Sequence, residues 1–404
     1  MHKFIFTFVF LTLLNTQPIF SQDSTLMMSV DTSFNSKNTL GFYNNIRAQN
    51  KSNISFNLEY SKRSLSSQLS VNFDDQDKLK FDNSYINYEK GVTNLTIGKV
   101  DRIWSFSEKS SLILSSNSRP LEAISMNLKN KFDTKWLPST ANWSVEIING
   151  STKNSLQDEN SMLTGARVVI SPSKRLSFEF LQTAQWGNKN DKLYSSNIDA
   201  FFMDTNLGKN ASVNKMAGFG VSYSAPLNGN TYRFYGQAIG EDEAGNLPSC
   251  YASMAGLELV APEIKFPTTV SIEAVDTRIK TSKHGHCGPN TMYNNNTYKY
   301  INYDTVLGVP IDTGGASLEL YGQSQVNKNL SINYSTKFLS INDSDYSQHR
   351  LSSKRSLGTI TSLGIYWGKG GFELGGNISY QNLILNKANV SNGTIFSLFT
   401  SVEF

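Results

Sequence analysis

The side chains with the richest chemistry in this 404-residue sequence sit in one short run, His284-Gly285-His286-Cys287. Two imidazoles and a thiol are soft metal donors, but a closed tetrahedral site needs a fourth ligand and none is apparent nearby. His349 lies close to Ser347 in the polar stretch from Asn342 to Ser356, the pairing that a lipid-hydrolysing or acyl-transferring barrel would need. No G-x-S-x-G elbow or other local nucleophile signature accompanies it. No phosphate-cradling loop or basic recognition helix is present either, and a net charge of +4 is too small to argue for nucleic acid. The reading is therefore no enzyme, no cofactor and no bound metal. Cys287 has a second use. Tyr251–Val260 and Thr268–Ile279 read as a hairpin whose open end is flanked by Cys250 and Cys287, so the two are expected to form a disulfide in an oxidising compartment.

The compartment follows from residues 1–22, which have a short basic start (His2, Lys3), an apolar run from Phe4 to Leu14 and a small Ser21 near the expected cut. This is a secretory signal, leaving 23–404 as one domain. No later run of 18 apolar residues occurs, so helical membrane spans are excluded, and a spanning chain must then close a barrel. Composition agrees: 39% hydrophobic, 12% aromatic and only 17% charged residues suit strands that alternate between lipid and a wet lumen. A secreted, soluble β-rich protein is the other reading of the same numbers. The last eleven residues, T-I-F-S-L-F-T-S-V-E-F, put Phe396, Leu398, Val402 and Phe404 on one face, and an aromatic chain end resembles the signal read by barrel-assembly machinery. Similar alternation recurs upstream, as in Ile54-Phe56-Leu58-Tyr60, Leu176-Phe178-Phe180 and Leu363-Ile365-Trp367, giving a tally of about 20 strands. The fold class is all-β: a transmembrane antiparallel barrel.

Counted back from Phe404, parity puts loops 341–356 and 385–393 outside and the tight turns near 325–329 and 368–371 inside. With 298–308 counted as a strand, four long stretches fall on the periplasmic or luminal side: about 101–120, 197–213, 240–250 and 281–297. These are expected to form a plug, with a short helix in 197–213. Arg119, Glu241 and Asp242 are charges that a barrel interior keeps only if paired or solvated, and an Arg–carboxylate network would fasten such a plug.

The same stretches carry a family resemblance. Arg102-Ile103-Trp104, Ser111-Leu112-Ile113-Leu114-Ser115 and Asn117-Ser118-Arg119-Pro120 resemble the first signature of the Wzi capsule-assembly proteins. Gly240-Glu241-Asp242-Glu243-Ala244-Gly245 resembles the second, and Met292-Tyr293-Asn294 with Tyr298, Tyr300 and Tyr303 the third. Ser105-Phe106 replaces the usual Gly-Pro, and Asn295 stands where the third motif has His. The resemblance implies an outer-membrane barrel of about 18 strands with a periplasmic helical plug. It also implies a lectin-like role in holding capsular polysaccharide.

Two main classes of function follow: a glycan-tethering barrel, or a general diffusion porin if the lumen stays open. By loop position, Tyr346, Gln348, Arg350, Asn386 and Asn389 are the candidate glycan contacts, while Trp104, Asn117, Arg119, Pro120, Glu241 and Asp242 belong to the plug. Expected partners are a surface polysaccharide, outer-membrane lipid and the assembly machinery, with the barrel a monomer.

Overall fold

In the computed structural model, the described residues are 24–37, 52–74, 79–133, 140–154, 159–187, 196–202, 213–244, 247–282, 287–295, 298–388 and 390–404. The expected signal peptide, His284, His286 and Asn389 lie outside them.

The strands are β1 (Ser24–Asn35), β2 (Ser52–Lys62), β3 (Leu65–Asp74), β4 (Leu79–Lys80), β5 (Tyr85–Lys90), β6 (Thr93–Lys99), β7 (Glu122–Phe132), β8 (Ala141–Asn154), β9 (Glu159–Ser171) and β10 (Leu176–Trp186). After the short helix α1 (Ser196–Phe202), about two turns long, come β11 (Asn214–Leu227), β12 (Asn230–Ala244), β13 (Leu247–Ala261), β14 (Thr268–Asp276), β15 (Ile301–Asn302), β16 (Thr305–Val306), β17 (Ala316–Asn327), β18 (Leu330–Ile341), β19 (Ser356–Lys369), β20 (Phe372–Asn382) and β21 (Gly393–Glu403). Nineteen strands share one sheet. The two-residue β4 pairs only with β3, so 18 go round the wall. Each pairs antiparallel with its neighbour, and β1 meets β21 at Val30↔Val402 and Thr32↔Thr400 to close the ring. Closure leaves no free edge, which is what a strand-built membrane span requires.

The two faces of the wall explain the sequence alternation. Ile54, Leu58, Ile86, Ile97, Phe180, Phe219, Leu320, Leu363, Ile365 and Leu398 are all exposed on the outside. Their strand neighbours point inward and are polar: Ser55, Asn72, Glu179, Gln237, Glu273, Glu319 and Lys337 are buried in the lumen. Along β19, the outward line from Leu357 to Trp367 covers about 25 Å for a strand tilted by roughly 40°, the height of a hydrocarbon core. Hydrophobic burial stabilises the inside of this protein only where chain fills the lumen. Elsewhere the apolar residues are matched by lipid.

The fully described connections at one end are short: 63–64, 91–92, 172–175, 228–229, 262–267, 328–329 and 370–371. The opposite end is where β6 leads to β7, β10 to β11, β14 to β17, β18 to β19 and β20 to β21. This corrects the parity expected from sequence. Stretch 101–120 and the described parts of 197–213 and 281–297 belong to the same end as 342–355, and the described part of 240–250 is strand, the tops of β12 and β13. Residues 298–308 do not span: they hold the β15–β16 hairpin inside the lumen. The plug itself is irregular chain. Among the described residues, α1 is the only helix. It packs on β10 and β9 at the long-loop end, so no periplasmic helical plug is described.

At the chain end, Phe404 exchanges backbone hydrogen bonds with Met28, donating at 2.8 Å and accepting at 3.4 Å, and its ring is 48% exposed on the lipid side. Phe404→Asp places a charge at the rim of the apolar band and on the closing seam. The expected result is a marked fall in folded, heat-modifiable barrel in outer-membrane fractions, checked by semi-native electrophoresis. Unchanged levels would show that the seam closes without this residue.

Candidate functional site

The long-loop end is filled by two irregular segments, 100–121 and the described residues of 277–315, and their sequences show why they leave the sheet. Residues 101–121 are rich in Ser, whose hydroxyls offer the backbone local partners. Ser111 Oγ donates to Trp104 O at 2.8 Å and accepts from Ile113 N, while Ser107 Oγ accepts from Lys109 N. The apolar side chains between them have no lipid to face. Trp104, Leu112, Ile113 and Leu114 are therefore buried in one cluster with Met292, Tyr293, Tyr300, Leu307 and Val309 of the second segment.

Inward polar side chains of the wall hold the first segment. Trp104 Nε1 donates to Glu146 Oε2 at 3.0 Å, and Arg102 donates to the other oxygen at 3.2 Å. Gln237 spans the chain, accepting from Leu112 N at 2.8 Å and donating to Trp104 O at 2.7 Å. Arg167 pairs with buried Glu179 at 2.7 Å and donates to Ser105 O at 3.0 Å. Glu273 accepts from Ser107, from Ser110 and, at 2.9 Å, from Tyr235. Buried carboxylates are tolerable here because each is hydrogen-bonded or paired.

The second segment is locked onto the first through Tyr293. Its hydroxyl donates to Leu112 O at 2.6 Å and accepts from Val309 N at 3.3 Å, and its ring stacks on Tyr300 at 6.0 Å. Burial pushes this hydroxyl well above the ordinary phenol value, so it stays protonated and keeps donating. Gly308 is required beside it, since a Cβ there would lie 2.3 Å from the Tyr293 oxygen. Asn117 Nδ2 donates to Val306 O at 2.8 Å and Asn302 Nδ2 to Arg119 O at 2.8 Å. A disulfide between Cys250 and Cys287, with Cα atoms 5.4 Å apart, joins the segment to the start of β13.

The sequence candidates thus fall into place unequally. Trp104, Asn117, Arg119, Pro120 and Glu241 all lie in or against the plug. However, Arg119 and Glu241 are not partners of each other. Arg119 forms a two-pronged pair with Asp82 at 2.8 Å and lies 3.9 Å from the Tyr303 ring centre, while Glu241 accepts from the backbone N–H of Tyr293. The backbone of Asp242 pairs with Ser249 at the rim. Arg350, proposed from its loop as a sugar contact, is instead committed to buried Asp312 through both its Nε and a terminal nitrogen. Asn386 ties two loops, accepting from Ser353 N at 2.8 Å. Tyr346 and Gln348 are joined at 3.0 Å on the outer surface.

Glu146, Glu179, Gln237, Glu273, Asp82 and Asp312 were not singled out from sequence. A signal existed for the strand residues: Glu179 stands between Phe178 and Phe180, and Glu273 follows Ile272. A carboxylate framed by outward apolar residues must point into the lumen.

His349 is buried, with Nε2 3.0 Å from Thr313 O and Nδ1 accepting from Leu351 N at 3.1 Å. Nδ1 must therefore be bare and Nε2 must carry the proton. Burial depresses its pKa below the ordinary imidazole value, against the opposing pull of Asp312. The neutral ring's contribution is complete above about pH 6.5 and is lost as pH falls through the depressed folded value. Amide protection in 342–355, corrected for the intrinsic pH dependence of exchange, should therefore fall between pH 7 and 5, with that loss absent in His349→Gln. Identical profiles in both proteins would remove His349 as the cause.

A closed, lipid-belted barrel with its outer mouth filled by its own loops defines the class: a plugged outer-membrane β-barrel. The family model for the capsule assembly protein Wzi matches residues 19–387, and the chain belongs to that family. An uncharacterized 55.8 kDa protein in the cps region of Klebsiella pneumoniae is 29% identical over 193 residues, which are 46% of this chain and 38% of that one. The chain thus matches well under half the length of that relative. Among solved structures, Wzi of Escherichia coli, described as a carbohydrate-binding outer-membrane barrel involved in group 1 capsule assembly, superposes with a TM-score of 0.78 at 20% identity, covering 93% of this chain and 84% of that one. The outer membrane protein OprD of Pseudomonas aeruginosa gives 0.56 at 9% identity, covering 95% and 94%, a likeness of fold alone.

Proposed function

We propose that this barrel retains capsular polysaccharide at the cell surface through its long-loop face, without catalysis and with little conductance. The observation that carries this reading is the plug. Two segments, cross-joined by Tyr293 and tied to inward Glu146, Gln237 and Glu273, occupy the mouth that a diffusion pore would keep open. Family membership supplies the ligand class. Both ring nitrogens of His349 are taken by main chain, which argues against its serving as a general base.

With the plug below as a rigid floor, glycan contact falls to the exposed loop surface. Tyr346 and Gln348 offer a ring and an amide side by side, and Lys387 donates to Ser347 O beneath them. Asn389 belongs to the same set by its loop. The barrel is proposed to act as a monomer, inserted by the general assembly machinery through the β21 seam. Purified barrel should pull down cognate capsule, with Tyr346→Ala and Gln348→Ala together weakening capture severalfold while the fold is retained. Equal capture by the double variant would move the site to other loops. Large steady pores with no capture would make the protein a porin.

A further inference from the structure

On the strands of the short-turn end, lysines stand on outward lines and carboxylates on inward ones, and one arc of the barrel carries the pattern. On β2 the outward line runs Leu58, Tyr60, Lys62; on β5 it runs Ile86, Tyr88, Lys90; on β19 it runs Ile365, Trp367, Lys369. Each line passes from an aliphatic residue to an aromatic and then to an exposed lysine as it reaches its turn. Lys328, just before β18, extends the arc beneath outward Leu330 and Ile332. The carboxylates of the same end take the other direction. Glu59, Glu373 and Glu403 line the luminal mouth, which Lys328 and Lys369 also border from their turns. On β5, Glu89 turns inward to Lys129 at 2.8 Å. On the far arc the β11–β12 turn is Asn228-Gly229, and the cations of that arc, Lys174 and Arg175 between β9 and β10 and Lys265 between β13 and β14, sit in the turns and not at the foot of an outward aliphatic–aromatic line.

Tyrosine and tryptophan settle at the boundary between hydrocarbon and headgroups. Tyr60, Tyr88 and Trp367 therefore fix the depth of the bilayer surface on this arc, and the next outward residue on each strand lies at headgroup level. A lysine held there meets phosphate oxygens, and each contributes attraction to an anionic surface that salt screens. We propose that the β18–β5 arc, through Lys328, Lys369, Lys62 and Lys90, is a binding surface for anionic phospholipid headgroups in the leaflet that meets the short turns. Lipid bound there would clamp the β1–β21 seam, which lies within the arc between β19 and β2.

The test uses the full mature barrel in detergent, offered equimolar phosphatidylglycerol and phosphatidylethanolamine and read by native mass spectrometry. The wild type should retain phosphatidylglycerol over phosphatidylethanolamine by on the order of tenfold. The preference should fall to near parity in K62Q/K90Q/K328Q/K369Q. Parity in the wild type, or an undiminished preference in the variant, overturns the proposal. A variant that keeps its lipid preference but loses binding of an acidic polysaccharide would also overturn it, assigning the rim to polymer. Should the variant fail to fold, the wild type decides alone: thermal stabilisation by phosphatidylglycerol must fade between about 0.05 and 1 M salt, and stabilisation unchanged across that range defeats the idea.

Discussion

Replacing Glu273 with Ala should unfasten the first plug segment. Its carboxylate is 4% exposed and accepts from Ser107 and Ser110 of the plug and from Tyr235 of the wall. Hydrogen bonds to a charged acceptor are stronger than neutral ones, and deleting the acceptor leaves three donors without their partner. The expected cost is about 3–5 kcal/mol of local plug stability. Amide exchange across 100–121 should then quicken by roughly a hundredfold or more, while the strand ladders stay protected. In planar bilayers the variant should conduct where the wild type conducts little. Glu273→Gln, which keeps an acceptor oxygen, should fall between. Wild-type exchange rates in the Ala variant would mean that Glu146 and Gln237 alone hold the segment.

The second large effect is expected on reducing the Cys250–Cys287 bridge. The bond closes a loop across a sequence separation of 37 residues, and the chain-entropy model assigns such a crosslink about 4 kcal/mol. That loop contains β14 and the start of the second plug segment, so the release should appear in 287–295 and at Tyr293 and not in the wall strands far from it. The check is exchange mass spectrometry with and without reductant, and with Cys250→Ser. Both thiols alkylating without reductant would show that the bridge is not formed.

The outer surface of this protein was legible in its sequence because lipid imposes a period of two on every strand. Ile54-Phe56-Leu58 and Leu363-Ile365-Trp367 declared themselves on that ground alone. The terminal strand did so too, down to the outward Phe396, Leu398 and Phe404. The plug was visible only as unassigned length. Segments 100–121 and 277–315 bury Trp104, Leu112, Tyr293 and Tyr300 without any period, so no pattern says what they touch. Parity then magnified one error. Counting 298–308 as a spanning strand sends every loop before it to the wrong end, whereas its apolar residues, Ile301, Val306 and Leu307, are buried inside the lumen. Charge pairing was half-legible. That Arg119 needed a carboxylate followed from burial, but the choice of Asp82 over Glu241 depends on how the chain folds back between β3 and β5.

A barrel that retains polysaccharide is judged by what stays on the cell, and capsule partition measures that. A strain lacking this chain should synthesise polysaccharide in near-normal total amount but release most of it to the medium. Restoring the chain should return the polymer to the surface. Polymer that remains cell-bound at wild-type levels in the deletion strain, or that is no longer made at all, would contradict a retaining role.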